Sequence, residues 1–282
     1  MRKRERGMVL VTVLWSIALL SALAMAASVS FRSFAGIAAI GRDRVQGEAL
    51  LTAGLEVAAG IIASAERPLN ELETTVTLTT GAVRARLNDE GGRIDIGKAP
   101  QEVLSALLRS VGAPPQQADA AAKAIVRWRH RDNSGRPVDP AKVGLEHPFA
   151  DVQELAQVPG VAPEWIAAMR RLTTVYGSET INPLTAPAGV IAALPGVDGG
   201  HLAAFLAARR QSPANAERIA AVLGPAQRYL AAKRQQIVAV DLAAVLPDGY
   251  GAAARAVVAV MPQDSQPYRV LVWKPLAPST SG

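Results

Sequence analysis

The residues able to do chemistry in this 282-residue chain are scattered rather than grouped. There is no cysteine, which removes disulfides, thiolate metal sites, iron–sulfur clusters and thiol nucleophiles together. The three histidines, His130, His147 and His201, stand apart and none falls in an H-E-x-x-H spacing. No G-x-S-x-G, Walker or dinucleotide-binding pattern sits in a strand–turn–helix context. One segment groups oxygen ligands around a glycine turn: Asp132-Asn-Ser-Gly135, followed by Asp139, Glu146 and Asp151. Such donors suit Ca2+, and Asp132, Asp139 and Glu146 are the candidate ligands. Arg129, Arg131 and Arg136 interleave with them, and the calcium-loop spacing is absent, so a loop of solvated charges is the stronger reading. The residues point to no enzyme and require no cofactor.

Half of the chain is apolar and 19% is charged, the balance of a folded protein with a sizeable core. The formal charge is +6, but Arg2, Lys3, Arg4 and Arg6 against Glu5 place half of it in the first seven residues. Aromatic content is 4%, too low for a platform that stacks single-stranded bases. After the basic cluster, Met8 to Phe31 carries no charge. As a helix that run is about 36 Å long, enough to cross a hydrocarbon core of ~30 Å. Basic residues before the span set the N-terminus in the cytoplasm and the body outside. A plain anchor fits this pattern, and Ala24-Met25-Ala26 offers a signal-peptidase site before Ala27.

A third reading is more specific. The charged leader ends in Gly7, Met8 follows at once, and the apolar run continues into more helix. This resembles the leader of type IV pilins and type II secretion pseudopilins. The resemblance implies cleavage by a prepilin peptidase between Gly7 and Met8 and methylation of the new amino terminus. The fifth mature position, where most such proteins carry glutamate, is Thr12. A carboxylate there must be compensated in lipid, so Thr12 removes a charge pair with a neighbouring subunit.

The apolar stripe Val45, Ala49, Leu51, Leu55, Ala58 and Ile62 prolongs the helical pattern until Pro68, so one helix is expected over 8–65. Alternation at Thr74–Thr80 and Ala82–Leu87, a third short run at Ile94 and Ile96, and further runs at 237–240, 254–260 and 268–273 read as strands. Between them lie short helical pieces at 100–111, 115–130, 150–157, 163–172, 187–194, 199–210, 213–223 and 225–234. Strands at both ends with helices between make the helical region an insertion in one sheet domain. The fold class is therefore α+β: a long N-terminal helix on a small antiparallel sheet with a large all-α insertion. The expected division is 1–7 leader, 8–31 transmembrane half, 32–97 first α/β part, 98–234 insertion, 235–274 second α/β part and 275–282 tail.

The insertion holds a weak repeat, Asp151–Val161 and Ala188–Val197, each reading helix, Pro-Gly-Val turn, helix. These units resemble SAM-like helix-hairpin-helix elements and raise a DNA-binding alternative, a membrane-anchored receptor of the competence type. In DNA-binding hairpins a second glycine follows the triplet; here Ala162 and Asp198 stand there, and an aspartate opposes phosphate. Arg170, Arg171, Arg209 and Arg210 read as solvated helix ends. Nucleic acid is not the expected partner.

The whole order of parts resembles the K-type minor pseudopilin of type II secretion. The carriers are Arg6-Gly7-Met8-Val-Leu-Val-Thr12, Gly92-Arg-Ile-Asp-Ile96, Ala124-Ile-Val-Arg-Trp-Arg129 and Glu179-Thr-Ile-Asn-Pro-Leu-Thr-Ala-Pro187 leading into Leu194-Pro-Gly196. A missing glutamate at the fifth mature position is a feature of that family. The resemblance implies a pilin-like domain with a helical insert, anchored in the bacterial inner membrane. It further implies assembly with other minor pseudopilins at the tip of a periplasmic filament, and in some members calcium bound in the insert.

Overall fold

The computed structural model describes residues 2–65, 72–130, 148–232, 237–261 and 268–277. Helix α1 runs Arg2–Ser64, 63 residues and about 94 Å long, so helical backbone extends through the leader as well as the expected 8–65. Strands β1 (Leu72–Leu78), β2 (Gly81–Asp89), β5 (Ile237–Val245), β6 (Gly251–Val260) and β7 (Tyr268–Leu276) form one antiparallel sheet in the order β1-β2-β5-β6-β7. All five expected runs are strands of this sheet. Strand β7 continues through Pro275 to Leu276, two residues into the expected tail; Pro275 is tolerated because β7 is an edge.

The third short run departs from simple extension of the sheet. Strand β3 (Ile94–Asp95) pairs in parallel with β4 (Thr173–Thr174) in a separate two-stranded sheet. Between β2 and β5 the helices are α2 (Gln101–Ser110), α3 (Pro115–Trp128), α4 (Pro163–Met169), α5 (Ala188–Ala192), α6 (Gly199–Gln211) and α7 (Ala216–Ala221). Two pieces expected as helices, 150–157 and 225–234, are 3-10 turns at Val152–Gln157 and Gly224–Tyr229. Both Pro-Gly-Val turns need a residue in the left-handed region, and Gly160 (φ +86°) and Gly196 (φ +77°) supply it.

Two apolar cores form, and they do not merge. Leu50, Leu51, Leu55 and Ala58 of α1 pack on Val83, Ala85 and Leu87 of β2, Val238, Val240 and Leu242 of β5, and Ala254, Ala256 and Val258 of β6. A second core gathers Ile94, Ile96, Leu104, Leu108, Ile125, Phe149, Trp165, Ile191, Phe205 and Ile219 within the helical lobe. Ile94 and Ile96 belong to that lobe core, so the lobe reaches back past the boundary expected at 98.

The approach of α1 to the sheet depends on glycine. A Cβ on Gly54 would meet Val83 Cγ2 at 2.7 Å, and one on Gly47 would meet Tyr250 and Ala252 at 3.1 Å. Gly47 thus sits over the end of the sheet where β6 begins. At the other end the Tyr268 hydroxyl donates to Glu56 Oε1 at 2.6 Å. The lobe leaves the sheet after Asp89 and returns at Ile237, which pairs with Ala259, also at that end. Stalk and lobe therefore project from opposite ends of one sheet.

The Tyr268–Glu56 bond makes a pH prediction. The bond to Glu56, then burial, push the Tyr268 phenol up to about 12. A raised folded value means the contribution is complete below the free phenol's value of about 10 and is lost as pH rises through about 12. The thermal midpoint should fall across that interval, and Tyr268→Phe should flatten the fall; an equal fall in both proteins would remove the bond from the account.

Candidate assembly surface

Among the described residues no three His, Asp or Glu side chains gather where they could hold a metal ion. Asp132, Asp139 and Glu146 lie outside the described residues. Gly7, Met8 and Thr12 fall within the α1 backbone, and their side chains lie outside the described set.

The surface is informative instead. The exposed large apolar side chains fall on α1 and on the sheet: Val13 to Met25, Phe34, Ile37, Ile40, Val45 and Val57, then Leu72, Leu78, Val245, Val270, Leu271, Trp273 and Leu276. Among the described residues of the lobe, 90–130 and 148–232, there is none. Trp15 is 73% exposed, and every large apolar residue from Val13 to Met25 stands bare. Gly36–Ser64 is also apolar enough to span a membrane by length and composition, but its second half is the part laid on the sheet. Val13–Ser28, shorter and uncovered, is the stretch within the expected transmembrane half. Between the two, Phe34, Ile37, Gly41 and Val45 fall within an arc of about 80° at 100° per residue, a stripe free of charge. One long, largely uncovered apolar helix is the form of a single-pass anchor.

The lobe is held to the sheet by charge. Arg255 alternates with Ala254 and Ala256, which face α1, so its side chain leaves the opposite face. Its guanidinium donates to Glu90 Oε1 (3.2 Å) and Asp241 Oδ1 (3.3 Å), and Arg93 reaches the same Glu90 oxygen at 3.3 Å. Glu90 is 2% exposed. Beside it, Asp89 accepts from Gly91 N, Thr185 Oγ1 and Asn182 Nδ2, while burial pushes its carboxyl above the ordinary range. Lys274 of β7 pairs with Asp151 of the lobe at 3.5 Å.

Within the lobe, Arg129 closes the 96–99 turn by donating to Ile96 O (3.1 Å) and Ala99 O (2.7 Å). Burial lowers its pKa, and the nearby Asp95 charge opposes that shift. Asp95 itself is buried, accepts from Gly97 N at 2.7 Å and lies 3.7 Å from Lys98 Nζ. By sequence Asp95 stands only within a motif and Arg129 reads as a solvated charge beside the acidic loop; instead Arg129 is turned onto the 96–99 turn, a contact across some thirty residues.

The second hairpin is built against phosphate. Asp198 caps α6, its Oδ1 accepting from His201 N and meeting His201 Nδ1, each at 2.8 Å; these bonds hold its carboxyl below the usual range. A carboxylate thus fills the helix end where a DNA phosphate would sit. Arg209 turns inward, donating to Ala186 O and lying 5.4 Å from the Phe205 ring centroid.

The architecture is thus a long N-terminal helix on a five-stranded antiparallel sheet, with a helical lobe between β2 and β5. Residues 69–178, about two fifths of the chain, match the family profile "Type II secretion system (T2SS), protein K". A chain of the crystal structure of the GspK-GspI-GspJ complex from the enterotoxigenic Escherichia coli type 2 secretion system is similar in fold. The TM-score is 0.59 at 15% identity, covering 84% of this chain and 96% of that one. No curated protein matches the chain by sequence.

Proposed function

We propose that this chain caps the tip of the type II secretion pseudopilus, primes its assembly and supports protein export across the outer membrane. The observation that carries this reading is the division of the surface. Large apolar residues available to partners lie on the stalk and the sheet, while the lobe at the opposite end offers none among its described residues. A subunit built this way associates from below and along its side, and presents a polar cap above. Prepilin peptidase cuts between Gly7 and Met8 and methylates Met8. The helix then sits in the inner membrane with its basic end cytoplasmic and the pilin-like domain, with its SAM-like insertion, in the periplasm. Thr12 spares this subunit the buried carboxylate that pairs with a subunit above, which fits a terminal place. The partners are the I- and J-type minor pseudopilins, as in the complex similar in fold.

Full-length protein extracted in mild detergent should co-purify with its I- and J-type partners. Ile37→Lys with Val45→Lys should abolish that association without moving the thermal midpoint, because both side chains are exposed. Purification free of both partners under conditions that preserve the rest of the machine would reject the reading.

A further inference from the structure

Among the described residues strand β7 closes one side of the sheet, with β6 as its neighbour on the inner side alone. Its outer row of N–H and C=O groups is therefore a template for another strand. The two edges of the sheet are not equivalent. The described edge β1 is threonine-rich, and its Glu73 is engaged by Arg84 and Arg86. Strand β1 bares Leu72 and Leu78 only at its two ends, whereas β7 shows Val270, Leu271 and Trp273 along its length and Leu276 at its end, each 38–43% exposed. The register shift at Val257/Val258 places an extra residue, Leu271, in β7 and so puts apolar side chains on both faces of the strand. Pro275 cannot donate, which leaves Tyr268–Lys274 as the usable ladder, about 23 Å long.

Charge defines the occupant further. The strand carries two cations and no acid. Lys274 is drawn to Asp151 on the lobe, while Arg269 is exposed and has no ion pair among the described residues. A second copy of this chain is a poor fit, since β7 against β7 brings two cationic strands together. The Tyr268–Glu56 bond ties β7 to α1, so a subunit whose helix runs along α1 brings its own globular domain beside this edge.

We infer that β7 receives an extended strand from the neighbouring minor pseudopilin, which joins the sheet as a sixth strand with a carboxylate facing Arg269. The inference rests on the assembly reading above and names a second contact, made by the sheet as well as by the helices. Backbone hydrogen bonds supply the register, and Leu271 and Trp273 supply the apolar anchors.

Because the chain has no cysteine, a single introduced thiol reports one place. Full-length protein carrying Leu271→Cys, labelled with a benzophenone maleimide and assembled with its I- and J-type partners, should give a photo-adduct with one of them. Thr75→Cys on β1 should give none. Arg269→Glu should weaken co-purification about tenfold at an unchanged thermal midpoint. Failure of the unmodified chain to associate at all would overturn the assembly reading. Normal association with no adduct from Leu271→Cys and no effect of Arg269→Glu would overturn the edge inference alone, as would an adduct confined to a second copy of this chain.

Discussion

Gly54→Leu is expected to lift α1 from the sheet and to unfold the α1–sheet core at temperatures where the native protein is intact. The Gly54 Cα lies so close to β2 and β5 that even a methyl group would meet Val83 at 2.7 and 3.0 Å and Leu242 at 3.2 Å. The Val83 methyls are attached at the β-carbon of a strand residue and cannot swing aside as the end of a long side chain would. Overpacking of this kind costs about 1–3 kcal/mol for small additions and more when backbone must move. For Gly54→Ala that cost is offset by about 1 kcal/mol of helix propensity, so a modest net loss is expected. For Gly54→Leu nothing offsets it, and about 3 kcal/mol or more should be lost. Thermal unfolding of the full-length protein in detergent checks the order: native, then alanine, then leucine. A leucine variant as stable as the native protein would show that the helix does not lie where it is described.

The second large effect concerns the seam between sheet and lobe. Arg255→Met leaves the Glu90 carboxylate buried with Arg93 as its remaining cation. Breaking one side of a buried ion pair costs about 3–5 kcal/mol when no other partner exists, and Arg93 should hold the loss to about 2–3 kcal/mol. Because the two apolar cores are separate, the loss should appear as loosening of the seam rather than collapse of either core. Hydrogen exchange should rise at the amides of Asn182, which donates to Gly91 O, and of Gly91, which donates to Asp89 Oδ1, while Leu108 and Ile125 keep their protection. Restoring stability with Glu90→Gln added to Arg255→Met would identify the unpaired charge as the cause. Uniform loss of protection across both cores would contradict the two-core description.

Much of this architecture is legible in the chain because it is written in local periods. The stripe from Val45 to Ile62 has helical spacing, and the runs at 74–80, 82–87, 237–240, 254–260 and 268–273 alternate as strands do. The turns at Gly160 and Gly196 announce themselves by Pro-Gly. What is hidden depends on partners far along the chain. Ile94 reads as a strand residue, but nothing local says that it pairs with Thr173 rather than with the main sheet. Gly54 reads as a weakness in a helix until Val83 is seen against it. Glu90 and Arg255 are 165 positions apart, and their meeting decides how the lobe sits. Arg209 looks like a solvated helix end by type and place, yet it reaches back to Ala186 O. The proposed cleavage between Gly7 and Met8 rests on the resemblance of the leader alone, since cleavage depends on a peptidase outside this chain.

The most direct measurement is the intact N-terminal mass of the protein recovered from membranes, in cells with and without prepilin peptidase. The account predicts a chain that begins at N-methylated Met8 when the peptidase is present and retains the leader through Gly7 when it is absent. A chain that begins at Ala27, or one that keeps Met1 whether or not the peptidase is present, would contradict it.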